Sequence, residues 1–132
     1  MVTAVASVSV KQTQRVVSAW RDVLAKHAHI SCLLDNALRE HGLGVSEYEI
    51  LDRLAEFECE GVRAQELERS IHLTQSALSR AIARLEKEGL VKRGMCAEDR
   101  RGVTVGLTEA GRSRHAAAQP GYLAVLTERL AD

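Results

Sequence analysis

Between Thr74 and Leu107 the spacing of apolar residues changes from the period of a helix to the period of a strand. Leu78, Ile82 and Leu85 share one face of a helix over 75–88, with Thr74 as its N-cap and Gly89 as its stop. Leu90-Val91-Lys92-Arg93, a polar loop and Gly102-Val103-Thr104-Val105-Gly106-Leu107 then form a β-hairpin pattern. A helix running straight into a hairpin leaves few arrangements in which both bury one face against a shared core.

The elements on either side are helical. Over 10–41 the positions Val16, Val17, Trp20, Val23, Leu24, Ile30, Leu34, Ala37 and Leu38 recur at helical spacing. Ser9 with Gln12 makes a capping box there, and Gly42 ends the run. A helix of that length outreaches the core of a small domain and points to a dimer. Ser46-Glu47-Tyr48-Glu49 is a second capping box, opening a helix over 47–58, and a short helix over 64–70 turns Leu67 and Ile71 inward. Thr108 caps a last helical region, which Pro120-Gly121 is expected to break or kink. The pattern is mainly α with a small β-hairpin wing. Two helices joined by a tight turn and followed by a hairpin make a winged helix-turn-helix, whose second helix suits the major groove.

Length and composition narrow the classes. The 132 residues suit one domain, and a hydrophobic fraction of 45% fills one modest core. Cys32, Cys59 and Cys96 cannot all pair within one chain and form no C-x-x-C, as expected of a reduced, cytoplasmic protein. The apolar start of the chain has no leading positive charge and stops at Lys11, too short for a span, so no membrane partner is expected. Trp20, Tyr48, Phe57 and Tyr122 are too few for stacking platforms on single strands. There is no Gly-rich phosphate loop, no G-x-S-x-G and no H-E-x-x-H, so neither an enzyme nor a cofactor is expected.

The face of helix 75–88 opposite Leu78 carries Ser76, Arg80, Ala83 and Lys87, flanked by Gln75, Ser79 and Arg84, with Thr74 at the cap. Arginine grips guanine bidentately, glutamine pairs with adenine, and small residues let the helix backbone approach double-stranded DNA. An amphipathic helix with a solvated face has the same pattern; the wing favours DNA. Arg93 lies on its first strand, and Asp99-Arg100-Arg101 puts adjacent arginines near its tip, suited to a narrow minor groove. Asp99 is expected to orient a wing arginine. The charges, 18 basic against 18 acidic, cancel overall but not locally. Residues 40–60 hold seven acids against Arg53, whereas 61–114 hold eleven bases against seven acids.

The run Leu73-Thr74-Gln75-Ser76-Ala77-Leu78-Ser79-Arg80-Ala81-Ile82-Ala83-Arg84-Leu85-Glu86-Lys87-Glu88-Gly89-Leu90-Val91-Lys92-Arg93, with Asp99-Arg100-Arg101 and Leu107-Thr108-Glu109-Ala110-Gly111, resembles the MarR family of bacterial transcriptional regulators. Ser46-Glu47-Tyr48-Glu49-Ile50-Leu51 and the Trp20 region extend the resemblance over about residues 12–125. It implies a homodimeric repressor, dimerised through N- and C-terminal helices, that binds a pseudo-palindromic operator and is released by a small aromatic or phenolic effector. The implied division is a flexible leader at 1–9, a dimerisation helix at 10–45, a DNA-binding lobe at 46–108 and dimerisation helices at 109–132. The chain ends at Asp132, early for the family, so helix 10–41 is expected to carry more of the dimer contact.

In the family, effectors bind between the dimerisation helices and the DNA-binding lobe. By position this points to Trp20, His27, His29, Ile30, Ser31, Leu34 and Tyr48, although His27 in the apolar stripe also fits a partly buried core histidine. Two departures concern the turn: Glu68 stands where a small residue often packs, and His72 where a glycine often turns the chain. His72 is therefore expected to take a strained backbone conformation, and Glu68 to point outward. Other readings stay open. One is a winged-helix protein-interaction module without DNA affinity, supported by the acids at 47–60 and Glu68. The other is a cysteine- or metal-responsive regulator. His29 and Cys32 supply two metal ligands where a site wants four, so no metal site is assigned. Family members that sense peroxide do so through a cysteine aligning near Asp22, not Cys32. Cys96, near Arg93 and Arg100, is the better candidate for a reactive thiol, although an incidental exposed cysteine fits it too.

Overall fold

A computed structural model describes residues 9–57, 61–96 and 99–131, with only the backbone of 95, 96 and 99–102. The leader before Ser9 and Cys59 lie outside the described residues, as do the side chains of Cys96, Asp99, Arg100 and Arg101. The elements are α1 (Val10–Arg39), α2 (Val45–Ala55), β1 (Val62–Arg63), α3 (Ala64–Ser70), α4 (Gln75–Lys87), β2 (Val91–Cys96), β3 (Asp99–Leu107) and α5 (Glu109–Leu130). The three strands form an antiparallel sheet in the order β1-β3-β2. The chain is mainly helical with a small sheet, as expected.

Helix α1 begins where Ser9 Oγ accepts the Gln12 N–H, at 3.1 Å, and the chain turns away at Gly42 with φ +70°. It joins the core only through its last third. Leu34 and Leu38 are buried there, whereas every residue from Ser9 to His29 is exposed. The start of α2 differs from expectation: Gly44, not Ser46, is the N-cap. Glu47 Oε1 accepts the Gly44 N–H at 3.0 Å, and Asp35 Oδ1 of α1 accepts the Val45 N–H at 3.1 Å. Because carboxylates satisfy both donors, the cap lies two residues before the serine and the helix starts at Val45.

Around the buried face of α2 (Tyr48, Ile50, Leu51 and Leu54) collect Leu67 and Ile71, then Leu78, Ile82 and Leu85 of α4, and Leu90, Val91, Val105 and Leu107 of the hairpin. Strand β1, which two residues could not announce by alternation, pairs Val62 with Val105 and Arg63 with Thr104 and places the start of α3. The hairpin strands run further than expected: Cys96 pairs with Asp99, so the backbone of Arg100 and Arg101 belongs to β3 and not to a loop.

Helix α5 is held at its start by one dense junction. Thr108 Oγ1 donates to the Gly89 carbonyl at 2.6 Å and accepts the Gly111 N–H at 3.0 Å, while the Thr108 N–H donates to the Leu90 carbonyl at 3.1 Å. Gly111 lies so close to Leu90 that an added Cβ would sit 2.0 Å from its carbonyl oxygen. Further along, α5 runs through Pro120 without ending there, so of the expected break or kink the break does not occur. Pro120 and Ala116 are both exposed, so the carbonyl that loses its helical partner faces solvent.

Candidate nucleic-acid interface

The turn before α4 is unstrained. Ile71 is buried and its carbonyl accepts the Leu73 N–H at 3.0 Å. Among the described residues no non-glycine has positive φ, so His72 does not carry the strained conformation expected of it. Its side chain is exposed, as is Glu68. With both directed outward, neither a small residue nor a glycine is needed here.

Thr74 starts α4 by accepting the Ala77 N–H on Oγ1 at 3.1 Å. With Leu78, Ile82 and Leu85 facing the core, Gln75, Ser76, Ser79, Arg80, Ala83, Arg84 and Lys87 are all exposed. The first turn has no acid, so the positive end of the helix dipole is not neutralised from within. Two cations are engaged. Arg84 Nη1 lies 3.6 Å from Glu47 Oε1, and Arg93 Nε of β2 lies 3.3 Å from Glu86 Oε1 of α4. Among the described residues Arg80 and Lys87 have no ion-pair partner. Arg93 therefore sits where the strand meets the helix, apart from the tip of the wing. Glu47 was missed as a member of this surface, for its arginine lies 37 positions along the chain and no local pattern links them.

Beside α4 opens a cleft of about 890 Å³ between α1, the start of α2 and the helix-turn-helix. His27 and Ser31 line it with Glu47, Arg53, Arg80 and Arg84. Of the other residues expected there, Leu34 and Tyr48 are buried in the core, and Trp20 is 60% exposed and not in the lining. Ile30, partly buried, packs against the core instead, and His29 is exposed outside the lining. His27 is exposed too, against the reading of it as a core histidine. The period of α1 identifies its apolar face, but not that the face stays uncovered along most of the helix. Cys32 is exposed, and no group of three metal-ligating side chains occurs among the described residues.

Behind the cleft a polar cluster joins α2 to α5. Tyr48 stacks between His115 and Tyr122, with ring centroids at 5.3 and 4.0 Å. His115 Nε2 lies 2.8 Å from Asp52 Oδ1, and the Tyr122 hydroxyl donates to Glu49 Oε1 at 2.5 Å. Burial, followed by the charges of Asp52 and Glu49, pushes the Tyr48 phenol well above its ordinary range. Burial and the hydrogen bond to Glu49 do the same for Tyr122. Both phenols therefore stay neutral well above neutral pH.

Residues 41–102 match the model of the MarR family. Among solved structures, AbsC, a MarR family transcriptional regulator from Streptomyces coelicolor, is 30% identical with a TM-score of 0.80, covering 93% of this chain and 80% of its own. Sco3205, a MarR family transcriptional regulator from the same organism solved in complex with DNA, is 29% identical with a TM-score of 0.80, covering 93% and 75%. CouR from Rhodococcus jostii RHA1, bound to p-coumaroyl-CoA, is 27% identical with a TM-score of 0.72, covering 79% and 72%. A comparison with curated proteins returns no match. Among the described residues no helix is long and apolar enough to cross a membrane.

Proposed function

The chain belongs to the MarR family of transcriptional regulators, and from that premise we propose that it is a homodimeric repressor of a pseudo-palindromic operator. Helix α4 of each subunit enters a major groove, and the wing, through Arg101 or its neighbour Arg100 with Asp99 orienting a wing arginine, reaches the flanking minor groove. The observation that carries this reading is the outer face of α4: exposed hydroxyl, amide and guanidinium groups, with no ion-pair partner for Arg80 or Lys87 among the described residues and no acid in the first turn. Arg80 reads a base edge, Lys87 meets phosphate, and Ser76 and Ala83 let the backbone approach. The similar structure of Sco3205 in complex with DNA supports double-stranded DNA as the partner.

The partner subunit covers α1. Val16, Val17, Trp20, Val23 and Leu24 form an exposed apolar row at helical spacing, and Leu123 and Leu130 of α5 are exposed as well. Large side chains left in water over several turns mark an association surface. A second copy supplies a matching row by symmetry. A small aromatic or phenolic effector occupies the cleft beside α4, where it would act directly on Arg80 and Arg84. The similar structure bound to p-coumaroyl-CoA supports such a ligand. No catalytic step is assigned, and the protein acts in the cytoplasm, where its DNA lies.

A mobility-shift titration with the promoter of the protein's own gene, against sheared DNA, tests the reading. Selective binding at low salt by a species of dimer mass supports it. No binding at low salt would instead favour a winged-helix interaction module.

A further inference from the structure

Glu47 occupies the third position of α2 and is 6% exposed. Its Oε1 accepts the Gly44 N–H at 3.0 Å and lies 3.6 Å from Arg84 Nη1 on α4. Its Oε2 is buried and has no hydrogen-bond partner among the described residues. Capping alone does not account for an acid here. A glutamine at this position caps the same N–H through its carbonyl oxygen. It would do so without carrying a charge into a buried site where one oxygen is left unpaired. What the acid adds is attraction for a guanidinium, and Arg84 is the cation that meets it.

Arg84 is held on one side only. Its side chain is 69% exposed, on the flank of α4 beside Arg80. The carboxylate attracts one terminal nitrogen of the fork, Nη1, across 3.6 Å and leaves the remaining donors open. A guanidinium already directed in this way loses less freedom when it meets a base edge or a phosphate than one that swings freely.

We infer that Glu47 is a positioning residue for operator readout, holding Arg84 so that its guanidinium meets one position of the operator in a fixed direction. The inference rests on the proposed entry of α4 into the major groove. Glu47 contacts no DNA itself. Its charge affects the preference for one sequence over another more than attraction to DNA in general.

The test compares wild type, Glu47→Gln, Arg84→Ala and the double variant. Each is titrated against promoter DNA of the protein's own gene and against sheared DNA, with a thermal unfolding curve for each. Glu47→Gln keeps the cap and removes the charge. It is expected to unfold near the wild-type temperature and to lower the ratio of specific to non-specific affinity about tenfold. Its binding to sheared DNA stays equal or tightens, because an acid has gone. On the Arg84→Ala background the same substitution changes the ratio by less than about twofold, since the arginine it would direct is absent. Should Glu47→Gln fail to fold, Glu47→Asp, which keeps the charge one methylene further from Arg84, is expected to lower the ratio likewise. A wild-type ratio in a folded Glu47 variant, or an equal loss with and without Arg84, overturns the inference while leaving the groove reading intact. Loss of sequence preference in wild type itself overturns both.

Discussion

Replacing Gly111 with alanine places a methyl group where the chain has no room. The new Cβ would lie 2.0 Å from the Leu90 carbonyl oxygen, 3.0 Å from its carbonyl carbon and 3.1 Å from Leu107 Cδ2. The nearest obstacle is backbone and cannot rotate aside, so α5 has to retreat from the end of α4 by about 1 Å or more. That retreat strains the Thr108 N–H bond to the Leu90 carbonyl and the Thr108 hydroxyl bond to Gly89. Overpacking of this kind costs about 1–3 kcal/mol. Two weakened hydrogen bonds add about 1–2 kcal/mol. Alanine returns about 1 kcal/mol through helix propensity. The expected loss is about 1–4 kcal/mol, a substantial share of a typical domain's stability. Gly121→Ala is the matched control, because its Cβ would meet Ala37 Cβ at an ordinary 3.9 Å and only the propensity gain applies. Urea denaturation at one fixed protein concentration reads both, since dimerisation ties stability to concentration. A Gly111→Ala midpoint equal to wild type, or a larger loss at Gly121, would refute the packing argument.

Further outcomes follow from the same geometry. Arg80→Ala is expected to weaken operator binding by about 1–3 kcal/mol, checked by anisotropy titration. Arg101→Ala is expected to weaken binding across sequences and to flatten the salt dependence by roughly one unit of slope. Trp20→Asp, placed in the exposed row of α1, is expected to shift the protein from dimer to monomer mass in light scattering without unfolding the lobe. Stability is expected to fall as pH rises above about 10. The folded phenols of Tyr48 and Tyr122 are raised, so the unfolded chain ionises first and releases protons the folded chain keeps. Tyr122→Phe should lessen that alkaline loss in a pH series of unfolding midpoints.

What the sequence disclosed was local. Thr74, the Leu78–Ile82–Leu85 face and Gly89 determine α4 within one run of residues, and the helix lies where they place it. What stayed hidden depended on partners far along the chain. Asp35 helps to start α2 at Gly44, and Glu47 reaches Arg84 across 37 positions. His115 meets Asp52 across 63 positions. Pro120 reads as a break until α5 proves to be exposed where its carbonyl loses a partner. Trp20 shows a third limit. Periodicity finds an apolar face but cannot distinguish a face covered by its own core from one left for a second chain.

In the proposed complex, two copies of α4 enter successive major grooves of one operator. Hydroxyl-radical footprinting on promoter DNA of the protein's own gene, with wild type and Arg80→Ala side by side, shows whether they do. Two protected patches related by a two-fold axis and about one helical turn apart are expected, both lost or weakened in the variant. A single patch, uniform protection, or a pattern that Arg80→Ala leaves unchanged would contradict this arrangement.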